Sequence, residues 1–506
     1  MLRVDEIRDF DTLMQAAKLL ESTVGKLQAK VSQLTLQLAE RDGRTVSIEQ
    51  TTILAEELAK LKAMHFGPSS EKRRSASSEA SKDAEERSKT KTGHGPTAQP
   101  RLPIKETTYE IAPDEAVCTD CGKPLLPKKG LEQKSELITV VGVEVKLEKV
   151  TQLVYGCDCL DKLRTATGPD RVVDGGRYSL EFAAFVASQK YLDHMPLARQ
   201  QRMFERKGLD ITRATLWDQI DALAGWLEPS WRALREYTLG ADWVHCDETR
   251  WPMLEGPGSC KWWTWCVASS DAAFYDIHRH RSAKAASAVL NGFEGVLITD
   301  GYDAYSSLTR AGPGIRHAHC WAHVRRKFLE AEAAYPDLAA TPIRLIKQLF
   351  EVEGKLPKLP RDASLAERQE ICDARRRARQ EWSRPVTDEL RNWGYETLPG
   401  LLPSTGMEKA VKYMLELWPG LTVFLNDPRV PIDNNHAERE LRGVVVGRKN
   451  HYGSKSKRGT VVAAVFYSLF ESARLAGVNP ETYVLEAARR AIRSPGAVTL
   501  PHDLVS

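Results

Sequence analysis

WVHCDETRWPML at 243–254, KWWTWCVASS at 261–270, AAFYDIHRHR at 272–281, SAKAASAVLNG at 282–292 and GVLITDGY at 295–302 decide the fold. Apolar, aromatic and β-branched residues dominate the first three segments and the fifth, which read as strands. The alanine-rich fourth reads as a helix. A further short strand, IRHAHC at 315–320, leads into the helix WAHVRRKFLEAEAAY at 321–335. Three hairpin-linked strands, a crossover helix and further strands predict an α/β domain. Asp247 falls on the first strand and Asp300 at the end of the strand that follows the helix. A third acid, Glu438, sits at the start of an amphipathic, Arg-rich helix in IDNNHAERELRGVVVGRKNHYGS at 432–454.

Carboxylates delivered from two strand ends and one helix can converge on a pair of Mg²⁺ ions, hard cations that take oxygen ligands. Such a site activates an attacking oxygen and stabilises the leaving oxygen of a phosphodiester. Any one of these acids alone reads as an ordinary strand-end residue; three together, the last among basic side chains, favour the catalytic reading. Glu248 neighbours Asp247, but strand alternation points it to the opposite face. Asp433 reads as a turn residue capping the helix of Glu438, with indirect metal duty as the minority reading. His317, His319, Cys320 and His323 have the residue types of a zinc set. No second close pair accompanies them, which favours a core or DNA-facing role, with His319 assisting the site.

Several segments together resemble the insertion-sequence-66 family of bacterial DDE transposases: DETRWPM, DGYDAY, HCWAHVRRKF and DNNHAERELRGVVVGRKN, joined by FGPSSEK at 66–72 and GVNPETYVLEAARR at 477–490. The likeness runs from about Leu13 to about Arg490. It implies an RNase H-like catalytic domain carrying the D, D, E triad, here Asp247, Asp300 and Glu438, an order that the strand and helix succession matches. It also implies a zinc-binding module and an all-helical insertion.

Net charge is only +4, from 72 Lys and Arg against 68 Asp and Glu, so local clusters carry any nucleic-acid signal. With 506 residues and 42% hydrophobic content the chain is long enough for several domains. No apolar run reaches transmembrane length and no signal peptide is apparent, so a soluble, cytoplasmic and nucleoid-associated bacterial protein is expected, without a membrane partner. Nine cysteines, an odd number, argue for reduced thiols, some binding metal.

The expected organisation is multidomain α+β. Residues 1–66 read as a coiled-coil helix, from Leu13, Leu20, Val24, Leu27, Val31, Leu34 and Leu38, with Ala17 in the gap and Leu54, Leu58 and Leu61 resuming the pattern. Residues 67–102 read as a disordered linker that leaves this helix no nearby core, which favours a homo-oligomer. Residues 103–172 form a small zinc-binding β module, with Cys118, Cys121, Cys157 and Cys159 flanking alternating strands. Four thiolates suit one structural, tetrahedral Zn²⁺; a redox pair would explain only the first two. Residues 173–238 read as a helical, helix-turn-helix-like domain. Gly208 ends one helix, Thr212 or Thr215 caps the next, and Arg213, Thr215 and Gln219 are the candidate DNA contacts. Residues 239–335 and 429–506 make up the two parts of the catalytic domain, the second with C-terminal helices, separated by the helical insertion at 336–428. Its Arg375-Arg376-Arg377 cluster reads as a solvated face.

Arg439, Arg442, Arg448, Lys449, Lys455, Lys457 and Arg458 place seven basic residues in twenty positions beside Glu438. They read as a phosphate-binding strip, with Arg325 and Arg326 as further DNA contacts. The expectation is a DNA transposase that binds the terminal inverted repeats of its element, cleaves phosphodiester bonds and transfers the 3′ ends to target DNA with two Mg²⁺ ions. Accessory proteins of the same element are possible partners. The rival readings are an RNase H-like nuclease without strand transfer and an inactive DNA-binding regulator.

Overall fold

The computed structural model describes Val145 and residues 154–157, 162–165, 169–254, 260–311, 314–358 and 363–505. The heptad seam at 13–38, the linker at 67–102 and Cys118, Cys121 and Cys159 lie outside them. Of the zinc-module region, an antiparallel pair is described: β1 (Val154–Cys157) and β2 (Lys162–Thr165), with Cys157 opposite Lys162.

Three helices come next: α1 (Leu180–Tyr191), α2 (Leu197–Arg206) and α3 (Arg213–Leu239). Gly208, at φ +82°, supplies the left-handed turn after α2. Thr212 then caps α3, its Oγ1 accepting from the Thr215 amide at 3.1 Å. Leu216, Ile220, Leu223 and Leu227 recur at helical spacing and are fully buried. Gln219 shares that face and is only 6% exposed, so it cannot be offered to DNA as the sequence reading had it. The helix runs on through Pro229 to Leu239.

A mixed five-stranded sheet follows, in the order β5-β4-β3-β6-β7. β3 (Trp243–Met253), β4 (Cys260–Ala268) and β5 (Ala273–His278) form an antiparallel meander; β6 (Gly295–Thr299) and β7 (Ile315–His319) run parallel to β3. The crossover from β5 to β6 carries α4 (Ala283–Val289). β6 is buried at four consecutive positions, Val296 to Thr299, as a parallel strand covered on both faces must be. A helix that the sequence reading did not single out, α5 (Asp303–Ala311), follows β6 directly. It is short and rich in Ser, Thr and Tyr, which gives it little apolar period to read.

Alternate residues of β3 and β4 enter different cores. Trp251 and Cys266 join α1, α3 and the C-terminal helices, whereas Val244, Cys246, Trp265 and Val267 pack with α4 and Tyr305 of α5. The helix α6 (Trp321–Ala331) leads to residues 336–428, where the described residues hold helices and no strand: α7 (Pro336–Lys355), α8 (Leu365–Ala378), α9 (Arg384–Thr397), α10 (Gly406–Glu416) and two single turns. A π turn at Arg379–Ser383 joins α8 to α9 and buries Arg379 completely. Its guanidinium donates to Glu353 and to the carbonyls of Phe424, Asp427 and Val430. Arg375 is tied to Glu353 and to the Pro357 and Pro428 carbonyls, so it braces the insertion from inside instead of joining a solvated face.

The chain closes with α11 (Asn435–His451), α12 (Lys457–Ala476) and α13 (Pro480–Arg493). α12 lies along β5, the edge strand. Ser468 Oγ accepts from the Tyr275 amide at 2.8 Å, and Ser472 Oγ accepts from the Ala273 amide at 2.9 Å. Among the described residues no single helix is long and apolar enough to cross a membrane.

Candidate active site

The parallel register of β3 and β6 pairs Trp243 with Val296, Val244 with Leu297 and His245 with Ile298. Two positions further along stand Asp247, within β3 and opposite Cys266 of β4, and Asp300, the first residue beyond β6. Asp300 thus lies at the carboxyl end of the parallel pair, where open α/β sheets place their binding crevices. Asp300 Oδ1 accepts from the Tyr302 amide at 3.0 Å, and the Asp300 carbonyl accepts from the Tyr413 hydroxyl of α10. The insertion thus reaches the second acid directly. Gly301, at φ +85°, leaves no space for a side chain against Leu417.

Glu438 comes from the first turn of α11, and one side chain fixes where that helix begins. Asn434 is fully buried; its Nδ2 donates to the Cys246 carbonyl at 3.0 Å, which directs its Oδ1 to His245 Nδ1 at 2.9 Å. His245 therefore carries its proton on Nδ1. The Asn434 amide donates to Cys320 Sγ at 3.1 Å, and the Trp321 amide donates to the Ile432 carbonyl at 3.0 Å. Four hydrogen bonds thus tie the entry to α11 to β3 and to the start of α6. Asp433 accepts from the Asn435 amide at 3.1 Å and from its side chain at 2.6 Å, a local turn one residue ahead of the helix.

The electrostatics are those of a site with too much negative charge. Burial, and then the neighbouring Glu248 and Asp300 carboxylates, push the Asp247 carboxyl up to about 8, with Glu438 adding to the rise. Burial also raises Asp433, and Glu438 adds to that. Glu438 Oε1 is buried with no hydrogen-bond partner, and His323 Nε2 lies 3.5 Å from it. Among the described residues no three His, Cys, Asp or Glu side chains stand gathered as a finished metal cage. Asp300 and Glu438 lie close enough to Asp247 to oppose its ionisation, yet the three acids do not close on one point.

Glu248 turns to the other face, where it is bound by Arg281 and by the Tyr305 hydroxyl. His317 Nε2 bonds Thr299 Oγ1 at 2.8 Å, and its ring lies 4.1 Å from that of His319. Burial holds His317 down at about 3 and His319 at about 4, so both are neutral core histidines behind Asp300.

The basic strip divides in two. Arg439, Arg442 and Lys449 recur on one exposed face of α11 with Val446, and Lys455, Lys457 and, on α3, Arg213 are exposed too. None of these six cations is ion-paired to a described residue. Arg458 is different: it is bridged to Asp221 and Glu228 of α3, so it joins helices and is not free to meet a phosphate. Arg448 donates to Thr249 Oγ1 at 2.9 Å and to the Arg250 carbonyl, clamping the end of α11 to β3. Thr215 shares a 3.0 Å hydrogen bond with Thr212, and Arg325 and Arg326 are half-buried on α6. Sequence reasoning missed Asn434 and Tyr413 as site residues, and read His323 as a core or DNA-facing residue and not as a neighbour of Glu438. IDNN marks a turn, which is a signal for Asn434 as a turn residue but not for its clamp; Tyr413 carried none.

The profile of the Transposase IS66 family matches residues 175–461, which contain both strands, both insertion boundaries and α11. Among curated proteins, the uncharacterized protein y4jD of Sinorhizobium fredii (strain NBRC 101917 / NGR234) is 29% identical over 402 residues, 76% of this chain and 76% of its own. The uncharacterized protein y4hP of the same strain is 27% identical over 415 residues, 77% of this chain and 72% of its own.

Proposed function

Because the chain belongs to the IS66 family of transposases, we propose that Asp247, Asp300 and Glu438 form the acidic triad of an RNase H-like domain that cleaves DNA at the ends of a mobile element and joins the freed 3′-OH to target DNA. The observation that supports this reading is the grouping of Asp247 on β3, Asp300 just past β6 and Glu438 on α11: after burial and Glu248, the charges of the other two oppose ionisation of Asp247, and Glu438 Oε1 is left without a hydrogen-bond partner. That donor set suits divalent metal: oxygen ligands only, an excess of negative charge, and an orphaned carboxylate oxygen. Asp247, Asp300 and Glu438 would hold Mg²⁺. When bound, a pair of such ions supplies charge stabilisation for the attacking and leaving oxygens of an in-line displacement at phosphorus.

The protein's own groups do the positioning. Asn434 sets the start of α11 and so the height of Glu438 above Asp247, and His323 limits the swing of the Glu438 carboxylate. Tyr413 holds the Asp300 backbone. The exposed face of α11 draws the DNA backbone toward the acids through Arg439, Arg442 and Lys449, by electrostatic attraction that weakens with salt. Both steps exchange one phosphodiester oxygen for another, so neither a covalent protein–DNA intermediate nor a nucleophilic Ser or Tyr is required.

The decisive experiment is a strand-transfer assay with terminal inverted repeats and a target plasmid. Glu438→Gln, Asp247→Asn and Asp300→Asn should each abolish cleavage while leaving DNA binding intact. Wild-type strand transfer by Glu438→Gln in Mg²⁺ would sink the assignment and make Asp433 the candidate. A wild-type protein that cut but never joined would be a nuclease of the same fold.

The same reading includes terminal-repeat recognition by the 173–238 helices, through Arg213 and Thr215, and one structural Zn²⁺ held by Cys118, Cys121, Cys157 and Cys159. Elemental analysis finding no zinc in the purified chain would remove the latter. It also includes action in the bacterial cytoplasm on chromosomal DNA, with accessory proteins of the element as further partners.

A further inference from the structure

We propose that Tyr452 is a stacking platform for an unpaired nucleobase of single-stranded DNA, a role that rests on reading the basic face of α11 as a DNA surface. Tyr452 ends α11 and is 69% exposed, the most exposed aromatic side chain among the described residues. Its backbone is left-handed, at φ 60° and ψ 30°, a conformation that suits glycine and is tolerated by asparagine, and that a tyrosine Cβ opposes. Nothing among the described residues compensates for that choice, since the ring packs in none of their cores and the hydroxyl bonds none of them.

The ring is nevertheless rigidly mounted. Gly453, at φ +78°, lies so close to the Pro252 carbonyl that no side chain would fit. The Ser454 amide donates to that same carbonyl at 3.1 Å, the Leu254 amide donates to the Ser454 carbonyl at 2.8 Å, and Trp251 Nε1 donates to Ser454 Oγ at 3.1 Å. The platform is therefore riveted to the far end of β3, the strand that carries Asp247.

Charge identifies the occupant. Lys449, Lys455 and Lys457 lie within five positions of the tyrosine in the chain, exposed and without ion pairs to described residues. An exposed aromatic face flanked by free cations is the chemistry that holds single-stranded nucleic acid: the cations take the phosphates, the ring takes a base, and any base will do. A base-paired strand within a duplex keeps its π-faces covered, so the ligand is an unpaired base. Fourteen residues of helix separate Glu438 from Tyr452, about 21 Å at 1.5 Å per residue.

The test uses the full-length protein without added Mg²⁺, so that DNA stays intact, and single strands carrying 2-aminopurine at successive positions. The wild type should bind and quench the probe most strongly at one position, with Tyr452→Phe the same. Tyr452→Asn relieves the backbone, so it should melt no lower than the wild type. It should lose the quenching and bind the single strand on the order of tenfold more weakly, with duplex binding unchanged. Single-strand binding and quenching by Tyr452→Asn equal to the wild type would overturn the proposal while leaving the DNA reading of α11 in place. Failure of the wild type to bind either duplex or single strand would overturn both. Loss of self-association in Tyr452→Asn, with unaltered DNA binding, would assign the ring to a protein interface and overturn the proposal.

Discussion

Asn434 makes three hydrogen bonds from a fully buried position, to β3 twice through its side chain and to Cys320 through its amide. Replacing its NH₂ with oxygen, in Asn434→Asp, keeps the shape and removes the donor. A carboxyl oxygen would then face the Cys246 carbonyl, and a buried acceptor without its donor costs about 1–3 kcal/mol. A lowered thermal midpoint is expected, with DNA cleavage falling further than DNA binding because α11 shifts under Glu438. An unchanged midpoint and unchanged cleavage would show that the amide is not a clamp. The three acids could be read from sequence because apolar strand runs and an Arg-rich helix frame them. Their supports could not: Asn434 reaches Cys246 across 188 residues and Tyr413 reaches Asp300 across 113. The same gap explains two corrections. Arg458 meets Asp221, 237 residues earlier, and Gln219 lies on a helix whose buried face is set by strands and helices far along the chain.

At the scale of elements, β5 is an edge strand that presents its amides to a helix instead of to water. Ser468 and Ser472 are four residues apart, about 6 Å along α12. Their acceptors serve Tyr275 and Ala273, two residues apart, about 6.8 Å along β5. The near match of these repeats lets a helix seal the backbone that edge strands leave open. Ser468→Ala and Ser472→Ala should each cost about 1–3 kcal/mol, the penalty for an unsatisfied buried donor. Amide exchange at Tyr275 and Ala273 should quicken in the matching variant. Exchange at wild-type rates in the double variant would mean that the serines do not seal the edge. The five strands, α4 and α6 were each legible from apolar patterning. The sealing contact was not, because serine on a buried helix looks like any small core residue.

Joining of element ends, as proposed above, would bring two DNA ends together and require at least two protomers, each holding one. The heptad seam from Leu13 to Leu38, outside the described residues, is the proposed means, since a lone helix of this kind is marginal in water. Leu27→Glu with Leu34→Glu should convert the oligomer to monomers by light scattering. Nicking at single ends should persist, and paired-end joining should be lost. If a chain starting near residue 70 scattered like the full-length protein, assembly would have to come from the catalytic or insertion helices. How the insertion meets Asp300 was not legible in the sequence, because helical periodicity says which face is buried and not against what.

The serine seal on β5 also has a history in time. The ribosome releases Ala273 and Tyr275 long before Ser472 and Ser468, which follow 199 and 193 residues later. At about 5–20 residues per second, the nascent sheet waits on the order of 10–40 s with its edge uncovered. During that interval the chain depends on whatever shields growing polypeptides. A message broken before α12 yields a sheet whose border stays permanently open to pairing with other chains. Incomplete copies of this protein are thus disposed to clump instead of competing with intact ones for DNA.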